Sequence, residues 1–286
     1  MTDSIGTLTT VLFLPGSNAR ALEKAKGLQA GAIIIDLEDA VGISDKAVGR
    51  DQAAAAVMDH HANGAYDGRQ LFIRVNGLDS PFWPKDAAMI RALITDGTPP
   101  DGVVCPKVNS AEDVKQLASD LAGVSLYAMI ETPQAVLNAA DIAAATPALK
   151  GLMAGTNDLK AELNAIAGPD RAEIMASLQI MVLAGKAAGL QVFDGVYNDV
   201  KDEAGLIAEA AQGRRLGFDG KCLIHPSQIE PVKAAFLPTQ QEVADAAGLI
   251  EAFEAAGKGV ATYKGKMVEE LHVRTARRVL ALVSGS

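Results

Sequence analysis

The chain is poor in cysteine. It has two in 286 residues, Cys105 and Cys222, without the spacing of a metal site, and each lies in an apolar run where a reduced cysteine packs as a small hydrophobe. It is also short of positive charge. A net charge of −9 with no basic stripe argues against nucleic acid as the main partner, yet leaves room for an anion held by a few local arginines or lysines. No apolar run is long enough to span a bilayer. The opening "MTDSIGTLTT" has no basic stretch followed by an apolar one, so neither a secretion signal nor a membrane is expected, and a cytoplasmic protein is. No GxGxxG follows the first apolar run, which counts against an open doubly wound sheet.

What is present is apolar bulk in short pieces. Hydrophobic residues make up 49% and charged residues 21%, enough for a large core. Eight near-continuous apolar runs recur: Thr10–Pro15, Ala32–Asp36, Gln70–Asn76, Gly102–Val108, Ser125–Glu131, Gly151–Asp158, Leu190–Gly195 and Lys221–Pro226. Such runs are the pattern of parallel strands covered on both faces. Helical segments alternate with them, several stopping at glycine: one near Gly31, one at Gly189 and one at Gly217. Thr132 and Pro133 read as an N-cap and first helical residue. Strand and helix alternating eight times predict a (β/α)8 TIM barrel over residues 1–236. Residues 237–286 exceed what the barrel needs and read as a C-terminal helical extension: a cap, a lid or an oligomer contact.

In such barrels chemistry collects at the C-terminal ends of the strands. Those ends carry Pro15, Gly16 and Ser17; Asp36, Glu38 and Asp39; Arg74 and Asn76; Lys107; Glu131; Asn157 and Asp158; Asp194, Tyr197 and Asn198; and His225. Each has a bland reading as a cap or a structural ion pair. Together they are costly to bury unpaired and need a cation, an anion or each other. Glu131 and Asp158 follow adjacent strands and could share a hard cation such as Mg²⁺, which takes one or two protein carboxylates and completes its shell with water and substrate oxygens. His60 and His61 adjoin at a helix end and read as solvent-facing, and His225 reads as a hydrogen-bonded structural residue. Arg74 is the best anion receptor, its planar fork matching a carboxylate. Metal plus arginine suggests a substrate with a carboxylate beside a hydroxyl or keto oxygen.

The ordered set "LFLPGS", "IIIDLEDAV", "FIRVNG", "PKV", "MIETPQAVLNAADIA", "GTNDL", "FDGVYND" and "GFDGKCLIHPSQI" resembles the HpcH/HpaI aldolase and citrate lyase β-subunit family from about Val11 to Ala252. Within that family it looks most like the malyl-CoA lyases and (3S)-malyl-CoA thioesterases. The resemblance implies a Mg²⁺ enzyme (Mn²⁺ being an alternative metal) acting on a CoA thioester by C–C cleavage or hydrolysis, as a homotrimer or homohexamer. It implies metal ligands at Glu131 and Asp158, which also meet substrate, a substrate-binding catalytic arginine at Arg74, and a CoA-phosphate contact at Lys24. Asp36, Glu38 and Glu269 are the candidate bases. Two positions depart from the family pattern: Asn18 where a basic CoA contact is frequent, and Glu269 where cleaving members carry aspartate. The longer carboxylate favours hydrolysis. The alternatives are a citrate lyase β subunit working inside a complex and a pyruvate-type class II aldolase, whose usual histidine near the second-strand carboxylates is missing after Asp36.

Overall fold

The apolar runs are strands. The computed structural model describes residues 8–257 and 260–284. The strands are β1 (Thr10–Pro15), β2 (Ala32–Asp36), β3 (Gln70–Arg74), β4 (Gly102–Cys105), β5 (Leu126–Ile130), β6 (Leu149–Ala154), β7 (Gln191–Asp194) and β8 (Gly220–Leu223). They pair in parallel in sequence order, and β8 closes on β1 through Val11–Cys222 and its neighbours. The closed eight-stranded barrel excludes the open sheet.

Side-chain alternation assigns the two faces of the wall. Val11, Ile34, Phe72, Val104, Tyr127, Met153 and Phe193 meet in one buried cluster inside the barrel, with Phe72 stacked on Tyr127 at 4.6 Å between ring centroids. Their neighbours Leu12, Ile33, Ile35, Leu71 and Ile73 are equally buried on the opposite face of the wall. Burial on both faces, at roughly 1.5–3 kcal/mol per large apolar side chain, is why the strands read as unbroken apolar runs.

Among the described residues nine α-helices lie between the barrel strands: α1 (Ala19–Ala25), α2 (Lys46–Asn63), α3 (Trp83–Thr95), α4 (Ala111–Asp120), α5 (Pro133–Leu137), α6 (Ala139–Ala143), α7 (Thr156–Glu162), α8 (Met175–Ala187) and α9 (Glu203–Leu216); α10 (Ile229–Phe236) follows β8. Thr132 caps α5 by accepting from the Ala135 amide, as expected. Gly217 ends α9 in the left-handed conformation. Three expectations are corrected. The first helix stops at Ala25 rather than near Gly31, whose amide instead donates to Thr10 Oγ1 beneath β1. The segment after Pro133 is two helices, separated at Asn138, whose side chain donates to the Asn109 carbonyl. Asn157 and Asp158 lie not on β6 but in the first turn of α7.

The chain divides into two compact units, Leu8–Val232 and one beginning at Lys233. The second holds α11 (Gln240–Ala255), an antiparallel hairpin of β9 (Ala261–Tyr263) and β10 (Lys266–Val268), and α12 (Glu270–Ser284). Lys264 and Gly265, both at positive φ, make the two-residue turn whose twist suits a hairpin. Phe253, Ala261, Val268 and Val273 form that unit's core. Among the described residues no helix is long and apolar enough to cross a membrane.

Candidate active site

The register of β2 and β3 sets Asp36 beside Arg74 at the end of the barrel wall. Both share the inward parity of Ile34 and Phe72. Arg74 donates from Nε to Asp36 Oδ1 at 2.7 Å and from Nη2 to Oδ2 at 2.6 Å. Asp36 also accepts from the amides of Glu38 and Ala40 at 2.8 and 3.0 Å, so each of its oxygens holds two donors. Burial works against the Arg74 charge, but the Asp36 hydrogen bonds and the nearby carboxylates hold its pKa above the ordinary arginine value. The remaining nitrogen, Nη1, lies 2.9 Å from Glu38 Oε2 but out of line, which leaves that buried oxygen without a hydrogen bond. Burial pushes the Glu38 carboxyl up to about 8, with Arg74 opposing.

Below this pair, Lys46 of α2 is buried with all three of its protons used. Its Nζ donates to the carbonyls of Leu37 and Glu38 at 2.6 and 2.7 Å and to Asn76 Oδ1 at 2.8 Å. Asn76 in turn donates from its amide and side chain to Asp86 Oδ2 at 2.9 and 2.6 Å, and Arg50 reaches Asp86 Oδ1 at 3.2 Å. Desolvation lowers the Lys46 pKa. Asn76, expected at the mouth, thus belongs to a buttress behind it. Nothing in the motif "FIRVNG" marks that, because the partners Lys46 and Asp86 lie 30 and 10 residues away.

Opposite sits the acidic pair. Glu131, 2% exposed, accepts at Oε1 from the Lys107 amide at 2.7 Å. Burial first, then the charge of Asp158, pushes its carboxyl up to about 7. Lys107 holds a left-handed backbone, φ 54°, and its ammonium lies 3.3 Å from Asp158 Oδ1 and 3.9 Å from Glu38 Oε1. Gly155 leaves room for Glu131: a Cβ there would stand 2.5 Å from Oε2. Two mutually repelling carboxylates and the unbonded Glu38 oxygen suit a hard cation that keeps most of its shell for water and ligand. Among the described residues no group of three or more histidine, cysteine or acidic side chains is placed to hold a metal ion, so a cation here would rest on two carboxylates and fill its shell with water and ligand.

The mouth opens on a cavity of about 340 Å³. Asp36, Asp39, Arg74 and Asp158 line one side, and Phe13, Val196, Cys222 and Ile224 the other. The charged side chains stand at or after β2, β3 and β6, with Met129 and Ala154 beside them, and the remaining lining on or after β7, β8 and β1 is apolar.

Other expected site residues lie elsewhere. Asp194 has the parity opposite to Phe193 and points out of the wall. There it accepts from Arg171 Nη1 at 2.7 and 3.0 Å and from Lys221 Nζ at 3.2 Å, while Lys221 also reaches Glu209 at 2.7 Å. That outer network was not legible beforehand, although a lysine inside "GKCLI" was its one signal. Tyr197 donates to Asp202, and Asn198 pairs with Asn157. His225 accepts from the Ser227 amide as a cap, in keeping with a structural role. His60 accepts from the Tyr66 amide and is half-buried, while His61 is exposed. Both cysteines are buried. Lys24 is exposed on α1 and does not line the cavity. Glu269 belongs to the second unit, where its amide donates to His272 Nδ1.

Comparison with known proteins agrees with this geometry. Residues 9–226 match the model of the HpcH/HpaI aldolase/citrate lyase family, and residues 171–284 match that of a C–C bond lyase of the TIM-barrel fold. A (3S)-malyl-CoA thioesterase of Cereibacter sphaeroides is 46% identical over 95% of this chain and 93% of its own. The citrate lyase subunit beta of Escherichia coli is 34% identical over 96% and 93%. The crystal structure of CitE from Mycobacterium tuberculosis in complex with magnesium, acetoacetate and coenzyme A superposes with a TM-score of 0.82 at 28% identity, covering 98% of this chain and 99% of that one.

Proposed function

We propose that this chain, which belongs to the HpcH/HpaI aldolase/citrate lyase family, is a Mg²⁺-dependent enzyme that hydrolyses a malyl-CoA-type 3-hydroxyacyl thioester. The observation that carries this is the meeting, at one small cavity, of the Arg74 guanidinium with Asp158, beside which Glu131 is buried against Gly155. Glu131 and Asp158 would hold the metal, which supplies a Lewis acid for the substrate's carboxylate and hydroxyl oxygens. Arg74, clamped by Asp36 through Nε and one proton of Nη2, keeps the second Nη2 proton and Nη1, which also meets Met129 Sδ, so one edge of the guanidinium is left for an anionic oxygen. A cavity of about 340 Å³ suits a short acyl group, with the CoA body outside it.

Asp36, with both oxygens filled, acts as the positioning group. Glu38 is the group to hold or release a proton: its carboxyl is buried, paired with Arg74 by charge while Oε2 takes no hydrogen bond, and pushed by burial up to about 8. Glu269 is a candidate base on resemblance alone. In hydrolysis the acyl C–S bond breaks, a C–O bond forms from water, and the thiol leaves with the second proton. The match of residues 171–284 to a C–C bond lyase favours a second reading, in which the bond beside the hydroxyl-bearing carbon breaks instead.

One incubation with malyl-CoA and Mg²⁺ separates them. Malate and free CoA are expected; glyoxylate and acetyl-CoA would establish cleavage. No turnover of malyl-CoA or of citramalyl-CoA would sink the substrate assignment.

A further inference from the structure

Arg74 is immobilised by Asp36, but the second cation of the mouth is not. Lys107 touches both proposed metal ligands, one through its backbone and one through its side chain. Its amide donates to Glu131 at 2.7 Å, and its ammonium stands 3.3 Å from Asp158 and 3.9 Å from Glu38. The side chain is 50% exposed, and its ammonium donates a hydrogen bond to Asp158 of α7. We propose that Lys107 is a tethered counter-ion: its ammonium neutralises the carboxylates that receive the divalent cation, and it competes with that cation for them. This rests on the metal site proposed above.

The left-handed backbone is what makes the device. It turns one residue so that its N–H anchors Glu131 while its four-carbon stem carries the charge across to Asp158. A lysine suits the task better than an arginine, because a compact ammonium on a flexible stem holds no fixed fork and leaves readily. The surrounding field is strongly acidic: Arg74 and Lys107 between them answer Asp36, Glu38, Asp39, Glu131 and Asp158. Without a local cation the acidic pair would repel itself. With one built in, the site keeps its geometry whether or not metal is present, and the cost appears as weaker metal binding.

Titrating the full chain with Mn²⁺ by calorimetry, with Mg²⁺ as displacer, tests this without turnover. Lys107→Met and Lys107→Gly, the latter free of left-handed strain, are expected to bind Mn²⁺ about tenfold tighter at low ionic strength, with the gain shrinking as salt is raised. Lys107→Arg keeps the charge on a fork that leaves less readily, so it should bind Mn²⁺ no tighter than the unmodified protein. Equal or weaker binding in both Lys107→Met and Lys107→Gly overturns the role. Absence of Mn²⁺ binding by the unmodified chain overturns the metal assignment and this role together.

Discussion

At the scale of single residues, the site depends on groups that touch one another rather than on groups that carry charge. Gly155 is an example. It does no chemistry, yet it is the wall against which the Glu131 carboxylate rests. Gly155→Ala is expected to push that carboxylate aside and weaken Mn²⁺ binding by about tenfold or more, a shift of roughly 1.4 kcal/mol, read by calorimetry. Unchanged affinity would show that Glu131 has slack the structure does not suggest. The sequence "GTND" marks a turn and a possible cap, and nothing in it says that a carboxylate from the neighbouring strand fills the space. That Arg74, Glu131 and Asp158 come together at one end of the barrel was legible for a different reason: each is an ionisable residue closing or following an apolar run. The role of Lys107 was not, because it depends on a positive φ that no residue type announces.

Elements fix what residues cannot. The loop from β2 to α2 presents Glu38, and Lys46 holds that loop by two of its own carbonyls. Lys46→Met would leave those carbonyls and Asn76 Oδ1 without their donor. A loss of about 2–3 kcal/mol in denaturant unfolding is expected, against less than about 0.5 kcal/mol for Lys115→Met on exposed α4. Equal effects would mean that Lys46 is replaceable by water. Strand positions came through in the sequence because both faces of each strand are apolar. Helix ends did so only where a cap or a left-handed glycine marked them, as at Thr132 and Gly217. The break at Asn138 and the early end of α1 depend on contacts with Asn109 and Thr10 from distant segments, so local pattern could not show them. The same limit hid the outer network of Arg171, Asp194, Lys221 and Glu209, since parity along β7, not composition, decides which way Asp194 points.

Beside its buried ion pairs the whole barrel holds two thiols and a phenol that burial keeps uncharged at neutral pH, and high pH reveals them. Burial pushes the thiols of Cys105 and Cys222, and the Tyr127 hydroxyl, up to about 12. A group raised on folding binds protons more readily in the folded chain than in the unfolded one. Its contribution is therefore complete below the unfolded value, about 8.5 for a thiol and about 10 for a phenol, and is lost as pH climbs through the folded value. Thermal stability should accordingly fall between about pH 9 and pH 12, followed by circular dichroism, and a disulfide reagent should leave Cys105, which does not line the cavity, unlabelled at pH 7 until denaturant opens the barrel. Rapid labelling of Cys105 in the native chain would contradict the closed wall.

The charged side chains of the mouth stand at or after β2, β3 and β6, and Phe13, Val196, Cys222 and Ile224 stand on or after β1, β7 and β8. A small molecule with one ionic end and one greasy end is thereby given a direction across the mouth by the order in which the strands go round. Its mirror image satisfies the same two walls, so selecting handedness takes a third contact.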